Sequence, residues 1–241
     1  MAELKFPTEV IELPSKGFFY PEGHPLKEGK VEIKYMTAKE EDILTNQSYI
    51  SNGTVLDKLL ESMVVSPKFN LNDLISGDKN AILVAARILG YGPKYSFTMD
   101  GKTQTVDLSK LDSKPPKTEG LTEGKNEIEF VLPKTQNKIT FKLLTGHDEV
   151  NISKEIESLK KISQTPGELS TRLKYMITSV EGKTDEASIR EFVDNYLLAM
   201  DSRELRDYYK EVMPDVDMSF EGEDGRFRSI PIGLNFFWPD A

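Results

Sequence analysis

The chain has 241 residues, a formal net charge of −9, and hydrophobic and charged contents of 38% and 29%. This composition is typical of a water-soluble protein with a packed core, and the acidic balance disfavours binding to nucleic acid or anionic membranes, which both require a basic surface. The absence of cysteine excludes disulfides and thiolate chemistry, and two histidines are too few for a multi-histidine metal cage.

The chain contains no stretch that approaches the roughly 20 apolar residues needed to cross a bilayer. Its first residues lack the basic and apolar regions of a signal peptide. We therefore expect a protein that is not inserted in a membrane and that folds in the cytoplasm where it is made.

Residues 1–36 predict an N-terminal arm that ends in a short edge strand. Residues 13–25 contain three prolines, two glycines and three aromatic residues, a composition that excludes a regular helix. The apolar and polar side chains of Val31–Tyr35 then alternate as in a half-buried strand.

Residues 37–93 predict a helical part with three helices. Thr37 and Glu40 have the spacing of a capping box at the start of the first helix. The second helix is expected to begin at Thr54 and the third at Asp78.

Residues 94–145 predict a small antiparallel β unit with two hairpins. Alternating residues flank Asp100-Gly101, a strong hairpin signal, and a second alternating pair of segments flanks Pro133–Lys138. We expect the four strands to share one sheet, and the loop 109–126, rich in proline, glycine and charge, to be mobile.

Residues 146–213 predict a second helical part that packs against residues 37–93. Its first helix is expected to end near Ile162, and a capping box at Thr165–Glu168 opens a helix that continues to Gly182. A third helix begins at Thr184, and a fourth ends before Pro214. The apolar stripe of the third helix comprises Ile189, Phe192, Val193, Tyr196, Leu197 and Met200.

Residues 214–241 predict C-terminal strands and an aromatic tail, with alternation over Val216–Phe220. The whole pattern indicates an α+β fold. A mainly helical core would contain an inserted small antiparallel β unit, with extended N- and C-terminal arms.

The polar residues that could take part in catalysis or ion binding are better explained by structural roles. The acidic neighbours Glu40-Glu41 and Asp148-Glu149 do not face each other on a helix, and they suit first-turn positions. His147 lacks a second ligand at metal-binding spacing. Gly90–Gly92 and Glu221–Asp224 lack the spacing of a phosphate or calcium loop. We therefore predict no catalytic residue, no metal site and no cofactor, and a protein that is not an enzyme.

The aromatic residues of the two arms are the candidate partner-binding residues, because they lie outside the periodic helices. One interpretation is that each arm packs on its own core. The other is that at least one arm docks into a neighbouring subunit through aromatic anchors. The candidate anchors are Phe18, Phe19, Tyr20, Phe236, Phe237 and Trp238.

Several segments resemble baseplate hub and hub-assembly proteins of T-even-like contractile-tailed phages, particularly those of marine cyanophages. The resemblance covers nearly the whole chain. It is carried by Leu13–Pro21, Lys34–Leu44, Gly77–Gly92, Phe141–Thr145, Gly182–Asp185 and Phe236–Asp240.

The resemblance implies a structural or assembly protein of the tail that builds the baseplate hub through contacts with other hub proteins. A transient hub-assembly chaperone absent from the virion is an alternative, and a tail-associated hydrolase is a further one. The expected location is the host cytoplasm during assembly and the virion baseplate afterwards. Cysteine pairs that suggest zinc in wider relatives have no counterpart in this chain.

Overall fold

A computed structural model of the chain describes residues 7–162, 167–222 and 225–237. Within these residues the fold is α+β, with eight helices and several small antiparallel sheets. This confirms the fold class predicted from the sequence.

Three strands and four helices make up the first part of the chain. The strands β1 (Thr8–Glu12), β2 (Lys30–Lys34) and β3 (Val64–Ser66) form an antiparallel sheet in the order β1-β2-β3. The helices are α1 (Ala38–Leu44), α2 (Gln47–Ser51), α3 (Val55–Met63) and α4 (Ser76–Tyr91). The prediction that β2 is an edge strand is wrong, because the N-terminal arm and the residues after α3 each supply a neighbouring strand.

The middle of the chain contains both predicted hairpins. Its strands are β4 (Lys94–Met99), β5 (Lys102–Asp107), β6 (Ser113–Lys114), β7 (Ile128–Val131) and β8 (Lys138–Phe141). Asp100 and Gly101 both have positive φ angles, +53° and +74°, as the tight turn of a two-residue hairpin requires.

The last part of the chain contains, in its described residues, four α-helices and four strands. The helices are α5 (Gly146–Ile162), α6 (Glu168–Met176), α7 (Glu186–Asn195) and α8 (Ala199–Val212). The strands are β9 (Ile177–Val180), β10 (Asp215–Val216), β11 (Ser219–Glu221) and β12 (Phe227–Ser229). The capping residue predicted at Thr165 lies outside the described residues.

The two hairpins do not share a sheet, contrary to the prediction. β4 and β5 pair only with each other, whereas β7 and β8 form a sheet with β9. β9 replaces the end of the helix predicted to reach Gly182. Its residues Ile177, Thr178 and Val180 are β-branched, and they extend alongside β8.

The loop 109–126 is attached to the rest of the protein, although the sequence predicted a mobile loop. β6 lies within it and pairs with β10. The Gly124 N–H donates to the Phe18 carbonyl at 2.8 Å, and the Asn126 amide exchanges hydrogen bonds with the Leu143 backbone. The loop therefore belongs to the fold.

A single hydrophobic cluster draws side chains from both helical parts and from the sheets. α4 is central to it and buries residues from Gly77 to Arg87, including Ile82. The helix begins at Ser76, two residues before the predicted start, so Asp78 lies within its first turn and its carboxylate is free to bond elsewhere.

Candidate interaction surface

The aromatic residues of the N-terminal arm lie against the protein's own core. Phe19 and Tyr20 are buried, and Phe18 is half-buried with its ring edge-on to Phe19, the centroids 5.2 Å apart. The arm folds back over α4 instead of extending into solvent.

A buried carboxylate holds this arm in place. Asp78 accepts hydrogen bonds from the Ser15 N–H at 3.0 Å, the Ser15 hydroxyl at 2.7 Å and the Tyr20 hydroxyl at 2.8 Å. The Tyr20 oxygen in turn accepts from the Ile75 N–H. Burial raises the pKa of Asp78, an effect that the hydrogen bonds from Ser15 and Tyr20 oppose.

The aromatic tail is held in a similar way at the other end of α4. Phe236 and Phe237 are fully buried, and Phe236 meets Tyr95 edge-on at 4.9 Å. The buried Arg87 donates from Nε to the Phe236 carbonyl at 2.7 Å, and its other nitrogens donate to the Gly92 and Lys94 carbonyls.

In the described structure, four of the six candidate anchors are not accessible to a partner. Phe19, Tyr20, Phe236 and Phe237 are enclosed by their own chain, so a partner could reach them only if the arms detached. The other interpretation, that each arm packs on its own core, describes the structure. Phe18 keeps partial exposure, and Trp238 lies outside the described residues.

The first acidic pair takes part in helix capping. Glu40 is buried and accepts from the Thr37 N–H, as in the predicted capping box. It also accepts from the Thr37 hydroxyl, Lys34 and Ser62. Burial would raise its pKa, but the hydrogen bonds from Lys34, Ser62 and Thr37 together lower the pKa to about 2. Glu41 is exposed.

The second acidic pair is also used in structural contacts. Asp148 accepts from the N–H and hydroxyl of Thr145 and from the Lys142 ammonium at 2.7 Å. Glu149 forms a two-point ion pair with Arg172 at 2.9 and 2.8 Å.

Both histidines lie next to the same carboxylate. The Nε2 atom of His147 is 3.2 Å from one oxygen of Asp73, and that of His24 is 3.7 Å from the other. Over residues 7–162, 167–222 and 225–237, His, Asp and Glu side chains form no group of three or more that could hold a metal ion. The contacts connect the N-terminal loop to the start of α5.

The turns considered as ion-binding loops have backbone roles. Gly92 ends α4 with a φ angle of +82°. Glu221 and Gly222 lead into the β11–β12 turn, and residues 223–224 lie outside the described residues. In the part of the chain that the structure describes, no helix combines the length and apolar character of a membrane span.

Three large apolar side chains protrude where α7 meets α8. Tyr196, Leu198 and Met200 are 59%, 45% and 67% exposed. We call Tyr196–Met200 the apolar ridge. The sequence predicted a continuous helix with Tyr196 and Met200 on its buried face, but α7 ends at Asn195 and the chain changes direction.

Backbone hydrogen bonds fix the ridge at both ends. The N–H groups of Tyr196 and Leu197 both donate to the Phe192 carbonyl at 2.9 Å, which closes α7. The Ser202 N–H donates to the Leu198 carbonyl at 2.8 Å, which starts α8. The ridge therefore has one defined shape before any partner binds.

Another buried carboxylate anchors the ridge to the β7–β8 turn. Asp201 accepts from the Lys134 N–H at 2.7 Å, the Thr135 N–H at 3.1 Å and the Thr135 hydroxyl at 2.8 Å. This carboxylate follows the ridge directly, so the start of α8 cannot shift without breaking all three bonds.

A groove of about 370 Å³ runs beside the ridge. Its apolar wall includes Val180, Phe192 and Tyr196, and its charged residues include Glu181 and Glu191. A larger cleft of about 760 Å³ lies between the β4–β5 hairpin and residues 231–236. The ridge with its groove is the surface best suited to bind another protein, because exposed apolar residues here adjoin a recess.

Comparisons with protein-family models, with curated proteins and with solved structures find no match to this chain.

Proposed function

We propose that the chain is a structural or assembly protein of a contractile phage tail, and that it builds the baseplate hub through protein–protein contacts. The proposal begins from the segments that resemble hub and hub-assembly proteins. Three of these segments meet at α4: Leu13–Pro21 through Asp78, Gly77–Gly92 as the helix itself, and Phe236-Phe237 through Arg87. These contacts shape the fold, so the function has to be argued from a surface of the molecule.

The observation that carries the proposal is the apolar ridge, and Leu198 in particular. Leu198 is the N-cap residue of α8, and no side-chain hydrogen bond caps the helix there. Ser, Thr, Asp and Asn are favoured at this position because their oxygen atoms accept from exposed N–H groups. A leucine that is 45% exposed at an N-cap is locally unfavourable. Such departures are expected where a residue serves a function.

The proposed partners are other proteins of the tail and baseplate hub. Binding would bury Tyr196, Leu198 and Met200 in an apolar recess of the partner. Because the ridge is already ordered, little conformational entropy is lost on docking. The chain would meet these partners in the host cytoplasm and remain in the virion baseplate.

Mass spectrometry of purified phage particles tests the assignment. Stoichiometric presence of the chain in the tail is expected. Its absence from particles, together with presence in assembly intermediates, would replace the structural role with that of a transient chaperone. Cleavage of peptidoglycan by the purified chain would instead favour a tail-associated hydrolase.

Leu198→Asp separates binding from stability at the ridge. An aspartate at the N-cap should raise the free energy of unfolding by up to about 1 kcal/mol, while its charge should reduce binding to hub partners by more than tenfold. Ile162→Asp is the matched control, since Ile162 is 86% exposed at the end of α5. Urea unfolding and co-purification with hub proteins are the two measurements. Unchanged binding by Leu198→Asp would remove the ridge from the proposal.

A further inference from the structure

The strand β1 has one unpaired edge among the described residues. It lies at the end of the β1-β2-β3 sheet, and Thr8, Glu9, Val10 and Glu12 are exposed. Val10 is 60% exposed, although it is a β-branched apolar residue in the middle of the strand. What could bind here depends on which backbone groups face outward.

The hydrogen bonds at the two ends of β1 identify those groups. The Tyr35 N–H donates to the Pro7 carbonyl, and the Leu13 N–H donates to the Gly29 carbonyl. In an antiparallel ladder, hydrogen-bonded and non-bonded positions alternate. Because positions 7 and 13 bond toward β2, positions 9 and 11 do so as well. The N–H and C=O groups of residues 8, 10 and 12 therefore point away from β2.

We infer that β1 pairs with β1 of a second copy of this chain, antiparallel and with Val10 at the two-fold axis. In this register Val10 lies opposite Val10 of the second copy, and Thr8 lies opposite Glu12. Each of the three outward-facing residues then exchanges two hydrogen bonds with its counterpart. The two three-stranded sheets become one continuous sheet of six strands.

Side-chain charges are compatible with this register. Each Glu12 carboxylate would lie opposite a threonine hydroxyl, and each Glu9 opposite Ile11, so no carboxylate directly faces another. The Lys30 ammonium of the same chain, 3.8 Å from Glu12, offsets its charge. Like charges directly opposite would oppose pairing, whereas a β-branched pair such as Val10 with Val10 favours it.

Prolines restrict the alternatives. Pro7 and Pro14 flank the strand and lack N–H groups. Sliding the two strands by two residues toward Pro14 would bring this proline into the ladder and lose pairs. The symmetric register uses every outward-facing residue of both copies, which is why a second copy suits this edge. The interface is small, so we expect a weak dimer that forms at high protein concentration.

Sedimentation equilibrium over a concentration series tests the inference. Val10→Lys places two ammonium groups opposite each other at the two-fold axis and should weaken dimerisation at least tenfold. Val131→Lys is the matched control, a valine that is 49% exposed on β7, and it should change dimerisation less than twofold. A monomer at all concentrations of the natural chain, or equal dimerisation of Val10→Lys, would overturn the inference.

Two further measurements locate the contact. Val10→Pro removes the central outward N–H while leaving every bond from β1 to β2, because proline is tolerated at the open side of an edge strand. It should abolish dimerisation and keep the circular dichroism of the folded chain. Amide exchange should slow at Thr8, Val10 and Glu12 as protein concentration rises. A dimer in which these three amides stay unprotected would place the interface elsewhere.

This dimer does not depend on the proposed function. A natural chain that dimerises through β1 but is absent from phage particles would retain the dimer and lose the hub assignment. A chain found in the baseplate but monomeric in solution would give the opposite result.

Discussion

Buried charged residues attach distant segments to α4 and to the ridge. Asp78 bonds a loop 63 positions earlier in the chain, and Arg87 bonds a carbonyl 149 positions later. Charged groups are seldom buried unless their hydrogen-bonding capacity is satisfied. Each of these two therefore fixes the position of the segment that satisfies it.

Asp78→Ala should lower the free energy of unfolding by about 3 kcal/mol, because it leaves the Ser15 and Tyr20 donors without their acceptor in a buried site. Urea unfolding measures the change. Asp42→Ala, at an exposed position of α1, is the control and should change stability by less than about 0.5 kcal/mol. A loss of similar size in both variants would contradict the role of Asp78.

The protein should lose stability in acid as Glu40 becomes protonated. Its pKa of about 2 in the folded state lies below the ordinary value of 4.5. The carboxylate therefore stabilises the fold above the ordinary pKa, and this contribution is lost as the pH falls from about 4.5 toward 2. Glu40→Gln should be less stable than the natural chain at pH 7, with the difference shrinking toward pH 2. A difference independent of pH, measured by urea unfolding, would show that ionisation of Glu40 is not involved.

The residues in these networks could be seen in the sequence, but their partners could not. The Thr37–Glu40 spacing predicted a capping box, and the box is present. Asp78 also matched a capping pattern, yet its carboxylate turns to a loop far away in the chain. Local spacing cannot reveal a contact between segments that only folding brings together.

Secondary-structure elements could be predicted where the signal was local. The prediction failed where a helical and a strand periodicity met. The Asp100-Gly101 turn is an example of the first kind. The segment after Met176 is one of the second, because Met176, Ile177 and Val180 continue a helical spacing while the β-branched residues favour a strand. Pairing with β8 makes this segment a strand. The sequence of the segment alone does not reveal this pairing.

The ridge was missed for a related reason. Tyr196, Leu197 and Met200 continue the spacing of α7, so the sequence placed them on a buried face. The helix stops after Asn195. The Tyr196 N–H still makes the regular helical bond to the Phe192 carbonyl, but the Leu197 N–H bonds to the same carbonyl, five residues back, and does not continue the helical pattern. The leucine at the N-cap of α8 is the one local sign that could have indicated the ridge.

The tail segment around Phe236 should be an integral part of the core. Phe236→Ala should lower the free energy of unfolding by about 3–5 kcal/mol, since a fully buried ring is lost. Phe227→Ala makes the same substitution at a ring that is 74% exposed and should have a much smaller effect. Thermal or urea unfolding of the two variants measures this difference. Equal stability of the two variants would mean that the tail does not pack as described.

At the scale of the whole molecule, α4 joins the beginning and the end of the described chain. The N-terminal loop bonds its first turn, the tail bonds its last turns, and β10 crosses it at Gly77. An added Cβ atom at Gly77 would lie 1.7 Å from the Pro214 carbonyl oxygen. Only glycine allows this close approach.

Gly77→Ala should therefore destabilise the protein by about 2–3 kcal/mol, although alanine normally favours a helix over glycine. Gly233→Ala is the control, because no atom lies within 4 Å of the added Cβ and the φ angle is not positive. Differential scanning calorimetry compares the two. An unchanged or higher melting temperature for Gly77→Ala would contradict the crossing.

The bond between Arg87 and the Phe236 carbonyl also affects how the protein can be made. During translation, Arg87 leaves the ribosome long before residue 236 has been synthesised. Until then its guanidinium lacks one of its acceptors, and the apolar surface that the tail covers stays open to water. The nascent chain should thus remain incompletely folded until the segment around residue 236 emerges.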